Sequence, residues 1–262
     1  MTDCSSIRRA IREGKYSAST AGLCQGFIQA NVVILPAEFA EPFAEFCYRN
    51  PKPCPLLAVG DRGDPQLPEI GPDIDIRTDV AGYYIYREGK FEAERNSIID
   101  DWNEELVSFA LGCSHSFEDA MIAAGIGLRH IENRTTVPMF RTSIETVPNE
   151  VFGGQLVVSM RPIRNDMVDL AEEISSRFPH SHGGPVHVGK PADLGIADIS
   201  SPDWGDPLQI WPDETPVFWA CGVTSQLAVQ TAKPPIAITH RPGSMLITEI
   251  LNSSEVSIPG LA

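Results

Sequence analysis

Residues Thr215 to Ile250 read TPVFWACGVTSQLAVQTAKPPIAITHRPGSMLITEI, three apolar runs divided by small-residue and proline breaks. Pro216-Val-Phe-Trp-Ala220 is apolar, aromatic and branched, and too short for a globular helix, so it reads as a buried strand. The run breaks at Cys221-Gly222, and Thr224 or Ser225 is placed to cap a helix over Gln226 to Ala232. Lys233-Pro-Pro235 stops that helix. A second strand, Ile236 to Thr239, ends at His240, and a third spans Met245 to Ile250 after the Arg241-Pro-Gly243 turn. A strand, a turn and a helix N-terminus followed by a strand with a histidine at its exit suit an anionic ligand, because free N–H groups and the helix dipole point outward there.

Working outward, Leu106 to Leu111 reads as a second buried strand. It ends at Gly112-Cys-Ser114, and Ser116 is placed to cap a helix to Ala124. Phe109-Ala-Leu-Gly-Cys-Ser-His-Ser116 and Phe218-Trp-Ala-Cys-Gly-Val-Thr-Ser225 thus share a strand, a small-residue turn and a hydroxyl cap, a structural echo on too few positions to be a repeat. Residues 5–14 read as a helix with Arg8, Arg9 and Arg12 outward, and Pro36 to Arg49 as an amphipathic helix. Ala30 to Leu35 is a short strand or an apolar loop. Asp73 to Asp79 alternates like a strand, and Tyr83 to Arg87 is a strand with a turn at Glu88-Gly89. Thr136–Ile144 and Gln155–Met160 read as strands and Asn165–Arg177 as a helix, so residues 131–184 form a candidate inserted α+β subdomain. Residues 1–130 and 185–262 are left for the main α/β domain.

The 262 residues carry 20 Lys+Arg against 35 Asp+Glu, a formal net charge of −15. So acidic a surface repels phosphate backbones, and no basic patch offsets it, so no nucleic-acid partner is expected. With 42% hydrophobic residues, no apolar run of transmembrane length and no signal-peptide pattern, the chain reads as cytoplasmic, with no membrane partner. Its six cysteines include no C-x-x-C pair and read as reduced thiols.

The densest candidate site is Pro179-His-Ser-His-Gly-Gly-Pro-Val-His187. The spacing of His180 and His182 would put two imidazoles on one strand face, as a metal site needs, yet no H-E-x-x-H or carboxylate set accompanies them, and no metal is assigned. A substrate or acid–base role for His182 or His187 fits better than a metal, and loop histidines bonded to backbone are the remaining reading. Cys113 and Cys221 stand at strand-to-turn junctions where a helix N-terminus would favour thiolate, though buried packing explains them too. Arg141 and Arg161, on or after strands, can grip a carboxylate or form buried ion pairs. Asp203 and Asp206 flank Trp204-Gly205 as turn residues or as an acid–base pair.

Taken as whole motifs, the chain resembles one family nearly end to end. The motifs include Asn50-Pro-Lys-Pro-Cys-Pro55, Val137-Pro-Met-Phe-Arg-Thr142, Val157-Val-Ser-Met-Arg-Pro162, His182-Gly-Gly-Pro-Val-His187, Pro202-Asp-Trp-Gly-Asp206 and Ile238-Thr-His-Arg-Pro-Gly243. With Pro216 to Thr224 and Gly112 to Glu118 they are similar to the D-glutamate cyclase family of bacterial proteins, commonly labelled hydro-lyases. The resemblance implies a three-layer α/β/α sandwich with a smaller two-layer α+β subdomain. It also implies a carbon–oxygen lyase connected with D-glutamate or 5-oxoproline. Ser225 replaces a usual proline, and His115 replaces a usual aromatic, so His115 is set aside as a catalytic candidate.

The expected chemistry is loss of water from a small hydroxy or amino dicarboxylic acid. His187 or His240 would remove a proton, and Asp206 or Glu118 would protonate the leaving hydroxyl. Arg141 or Arg161 would hold a carboxylate, with Ser114, His182 and the helix start at Thr224 contacting substrate. The competing expectation is a non-catalytic protein that binds an organic acid. The cofactor is unassigned, and a homodimer is open.

Overall fold

Asp3 accepts the Ser5 N–H at 3.1 Å and so caps the first helix, α1 (Cys4–Arg12). The computed structural model describes residues 3–252. Arg8 does not face outward as expected: it is fully buried and paired with Asp73 and Glu249. The same pairing corrects the expected strand at 73–79. That segment is a series of turns, because its carboxylates face arginines: Asp73 meets Arg8, Asp79 meets Arg12, and Asp75 meets Arg77.

The remaining elements are β1 (Phe27–Pro36), α2 (Ala37–Arg49), β2 (Leu56–Val59), β3 (Tyr83–Arg87), β4 (Lys90–Arg95) and β5 (Leu106–Gly112). Next come α3 (His115–Ala123), α4 (Arg129–Asn133), β6 (Met139–Glu145), β7 (Gln155–Arg164) and α5 (Val168–Ser176). The chain continues through β8 (His187–Val188), β9 (Glu214–Ala220), α6 (Val223–Ala232), β10 (Ala237–His240) and β11 (Leu246–Leu251).

The protein is a mixed α/β fold built on two sheets whose strand pairings are all antiparallel. The larger sheet has the order β2-β5-β1-β10-β3-β4, with β11 also paired to β1. β1 is its hub because it is buried on both faces. Ile28, Ala30, Val32 and Ile34 enter one core, while Val33 and Leu35 enter the other with Phe43 and Phe46 of α2 and Val229 of α6. β5 runs along one edge of β1 from Ala30 to Pro36. β10 takes the other edge at Val33 and Ile34, and β11 takes it at Gln29 and Ala30.

The smaller sheet has the order β6-β7-β9-β8, so it draws two of its strands from outside residues 131–184. One face packs Trp219 and Val217 against Phe117 of α3 and Ala171 of α5, with the Trp219 indole N–H donating to Ser175 Oγ at 3.0 Å. The other face packs Phe140, Met160 and Phe218 on Leu194 and Ile196. The stretch from Thr215 to Ile250 therefore joins the sheets: β9 belongs to the smaller, β10 and β11 to the larger, and α6 makes the crossing. The segment from β5 through α3 crosses in the same way. Two strand-to-helix turns are thereby left side by side at the junction.

Candidate functional site

Each turn is compressed, and in each a glycine makes the close approach possible. A methyl group on Gly112 would overlap the His180 carbonyl, and one on Gly222 would overlap the Asn31 amide. Both helices start earlier than their hydroxyl residues suggested: α3 begins after Ser114, and α6 begins after Gly222. The expected cap residues are occupied elsewhere. Ser116 Oγ accepts the Gln29 N–H at 3.1 Å, Thr224 Oγ1 accepts the Val157 N–H at 3.0 Å, and Ser225 Oγ donates to the Gly222 carbonyl at 2.7 Å. In neither helix does the N-cap residue supply a side-chain cap, and both helix starts carry the positive end of the helix dipole. The N–H groups of His115 and Val223 turn back onto the thiols of Cys113 and Cys221, which favours thiolate. Burial outweighs this and pushes the two thiols up to about 12 and about 11, so they stay protonated at neutral pH.

Between the two turns lies a cavity of about 260 Å³. Cys113 and Ser114 line it from one turn and Cys221 and Gly222 from the other, with Asn31 of β1 between them. Four histidines also reach it, His115, His130, His182 and His240, together with Arg134 just after α4. Arg134 is exposed and adopts a left-handed backbone (φ 56°), a conformation that costs energy for a residue with a side chain. Among the described residues its guanidinium has no carboxylate or hydrogen-bonding partner.

Burial favours the neutral form in three of these histidines, His115, His182 and His240. His240 Nδ1 stands 3.1 Å from the Val32 N–H and 3.4 Å from the Val32 carbonyl; the shorter contact makes Nδ1 the acceptor and assigns the proton to Nε2. His182, in a left-handed conformation, donates from Nδ1 to the Lys52 carbonyl at 2.8 Å, which leaves Nε2 bare. Burial lowers both imidazoles to about 4. Burial also lowers His115.

Behind the cavity wall lies a buried charge cluster. Glu118 Oε1 accepts from Arg161 Nε at 3.0 Å, from Arg161 Nη2, and from His130 Nε2 at 3.0 Å. Arg161 completes its shell with Ser159 Oγ and Ser114 Oγ, each at 3.0 Å, and its guanidinium lies near the rings of Phe117 and Trp219. Burial alone would raise the Glu118 pKa, but the charge of Arg161, followed by His130, holds it well below the usual carboxylate range.

The expected site residues separate into three groups. His240, His182 and Ser114 line the cavity. Glu118, Arg161 and Thr224 stand directly behind its wall, satisfied by one another or by backbone. His187 and Arg141 lie away from it, and Asp206 reaches it only through the backbone of the lining residue Thr136. His187 Nε2 donates to the Lys190 carbonyl at 2.9 Å, Asp206 accepts the Thr136 N–H at 2.9 Å on the surface, and exposed Arg141 lies over Trp204. The imagined strand bearing His180 and His182 is a 3₁₀ turn, because Pro179 opens it and His182 closes it left-handed. Among the described residues no group of three or more His, Cys, Asp or Glu side chains converges to hold a metal ion. Sequence reasoning set His115 aside and passed over His130 and Arg134. His130 carries no motif, and only the fold brings it to Glu118, 12 residues earlier.

Fold and site define a class: a mixed α/β protein with a histidine-lined cavity where two antiparallel sheets meet. The chain belongs to the D-glutamate cyclase family, whose model matches residues 107–249, from β5 through the cavity-forming turns into β11. Proteins named "putative hydro-lyase" from Ruegeria pomeroyi and Dinoroseobacter shibae are each 53% identical over 96% of this chain, covering 92% and 84% of their own lengths. One of the same name from Verminephrobacter eiseniae is 53% identical over 95% of this chain and 91% of its own. A nitrogen repressor-like protein from Methanococcus jannaschii aligns over 92% of this chain and 96% of its own, with 11% identity and a TM-score of 0.39, too distant to inform the site.

Proposed function

We propose that the protein is a carbon–oxygen lyase that removes water from a small hydroxy or amino dicarboxylic acid held in the cavity between the two turns. Cyclisation of D-glutamate to a 5-oxoproline is one reaction of this type. The carrying observation is the cavity itself. At about 260 Å³ it is smaller than the roughly 300–1,000 Å³ of pockets for drug-sized ligands, and it suits a small acid. Two helix N-termini and the exposed Arg134 give it positive potential, and among the described residues its lining holds no carboxylate. A substrate carboxylate would lie at the helix starts, and Arg134 would hold a second one at the mouth. The neutral His240, with its proton on Nε2, would donate a hydrogen bond to the oxygen where negative charge grows. The names of the relatives and of the family support this reading.

The test is incubation of the purified protein with D-glutamate and a panel of small hydroxy dicarboxylic acids, followed by mass spectrometry for a product lighter by one water. A product from one of them is expected. Thermal stabilisation by these acids with no product from any would replace the lyase with an organic-acid binder.

A further inference from the structure

The geometry points to His130 as the group that moves the proton, with Glu118 and Arg161 as its positioning residues. This inference rests on the water-loss reading above. His130 is 3% exposed and lines the cavity, while Glu118, which holds its Nε2, does not. An ionised carboxylate can only accept, so in the neutral form of the ring the proton lies on Nε2 and Nδ1 keeps a bare lone pair. That Nδ1 is buried and has no protein partner. Buried ring nitrogens are normally satisfied, and this ring lines the cavity, so its unsatisfied nitrogen is the acceptor left for a ligand proton.

The other three histidines are less suited. His240 Nδ1 is taken by the Val32 N–H, and His182 Nδ1 is fixed on the Lys52 carbonyl. His115 also has an unsatisfied Nδ1, but no hydrogen-bonded carboxylate holds its ring. Only at His130 does an oriented imidazole stand in front of an acid that cannot take the proton away. Arg161 keeps Glu118 ionised, so the carboxylate orients the ring and stabilises the imidazolium that forms in passing.

The step balances without an added reagent. In cyclisation the amine attacks the side-chain carboxyl carbon, a C–N bond forms and a C–O bond breaks. Nδ1 carries the protons released by nitrogen, one at a time, to the departing oxygen, which leaves as water. In elimination from a hydroxy acid, Nδ1 takes the α-proton, a C=C bond forms, and the same proton leaves with the hydroxyl. The imidazole ends neutral in both.

The experiment has two arms on the full chain. In the first, 15N spectra of histidine-labelled protein at alkaline pH report the His130 tautomer, assigned by its loss in His130→Gln. A ring protonated at Nε2 with a bare Nδ1 is expected; a proton on Nδ1 would overturn the inference. In the second, His130→Gln lowers kcat by roughly 10²–10⁴-fold with little change in KM. Glu118→Gln, which keeps the accepting oxygen but removes its charge, also lowers kcat more than it raises KM. Retention of wild-type kcat in His130→Gln would overturn the inference as well. If every acid in the panel is inert, the water-loss reading fails, and the first arm still decides the state of His130.

Discussion

Glu118 neutralises the buried Arg161 guanidinium. Replacing it with leucine keeps much of the volume but leaves the Arg161 guanidinium, 1% exposed, with only the hydroxyls of Ser114 and Ser159. The lost carboxylate oxygen also held His130. Removing one partner of a buried ion pair typically costs about 3–5 kcal/mol, because the remaining charge is desolvated without compensation. For a chain of this size that corresponds to a fall in Tm of roughly 6–20 °C. Urea unfolding at neutral pH, followed by tryptophan fluorescence and far-UV circular dichroism, measures the loss. The double variant Glu118→Leu/Arg161→Met removes the orphaned charge and should recover a large part of the stability, since an apolar pair of similar volume often matches a buried ion pair. The sign with pH follows from the depressed Glu118 pKa. Its contribution is complete above the unfolded carboxyl value of about 4.3 and is lost as pH falls below that value toward the folded one. The gap between wild type and Glu118→Leu should therefore narrow in acid. A loss below about 1 kcal/mol in the single variant, or a double variant no more stable than the single, would refute the reasoning.

The other predictions concern the cavity wall. His182 and His240 have folded pKa values of about 4 against an ordinary 6.5, so the unfolded chain takes up protons first; their stabilisation is complete above pH 6.5 and fades between 6.5 and about 4. Each accounts for up to about 3 kcal/mol across that window, so denaturant titrations of His240→Gln should show a flatter pH dependence there. Gly222→Ala would push the Asn31 amide from its place against the Gly112 carbonyl, 2.8 Å away, and so distort both turns. Calorimetry should show loss of organic-acid binding in that variant. Cys113 and Cys221, with thiols pushed up to about 12 and about 11, should react with iodoacetamide at pH 8 more slowly than a free thiol, as read by peptide mass mapping.

Much of this architecture was legible in the sequence where pattern and burial agree. Pro216 to Ala220, Leu106 to Leu111 and Tyr83 to Arg87 are strands as their apolar runs indicate, and Glu88-Gly89 turns left-handed at both residues as a tight hairpin demands. The echo between Phe109–Ser116 and Phe218–Ser225 is spatial, for both turns line one cavity. The failures share a physical cause, since side chains were assigned to the nearest local role when a distant partner claimed them. Asp73, Asp75 and Asp79 alternate like a strand but bind arginines, and Arg8 lies on the buried face of its helix for the same reason. Ser116 and Thr224 look like caps but receive N–H groups from β1 and β7. His130 and Arg134 belong to no motif. Only tertiary contact between α3, α4 and β7 turns them into part of a buried Glu–His–Arg cluster and an exposed cation beside the cavity.

Turnover in paired variants decides whether the chemistry takes place in the cavity between the two turns. Rates of water loss would be compared for His130→Gln and Arg134→Ala, which alter the cavity, and for His187→Ala and Arg141→Ala, which lie outside it. The account predicts that the first pair loses rate or affinity while the second pair keeps wild-type kinetics. Unchanged turnover in the cavity variants, with loss at His187 or Arg141, would contradict it.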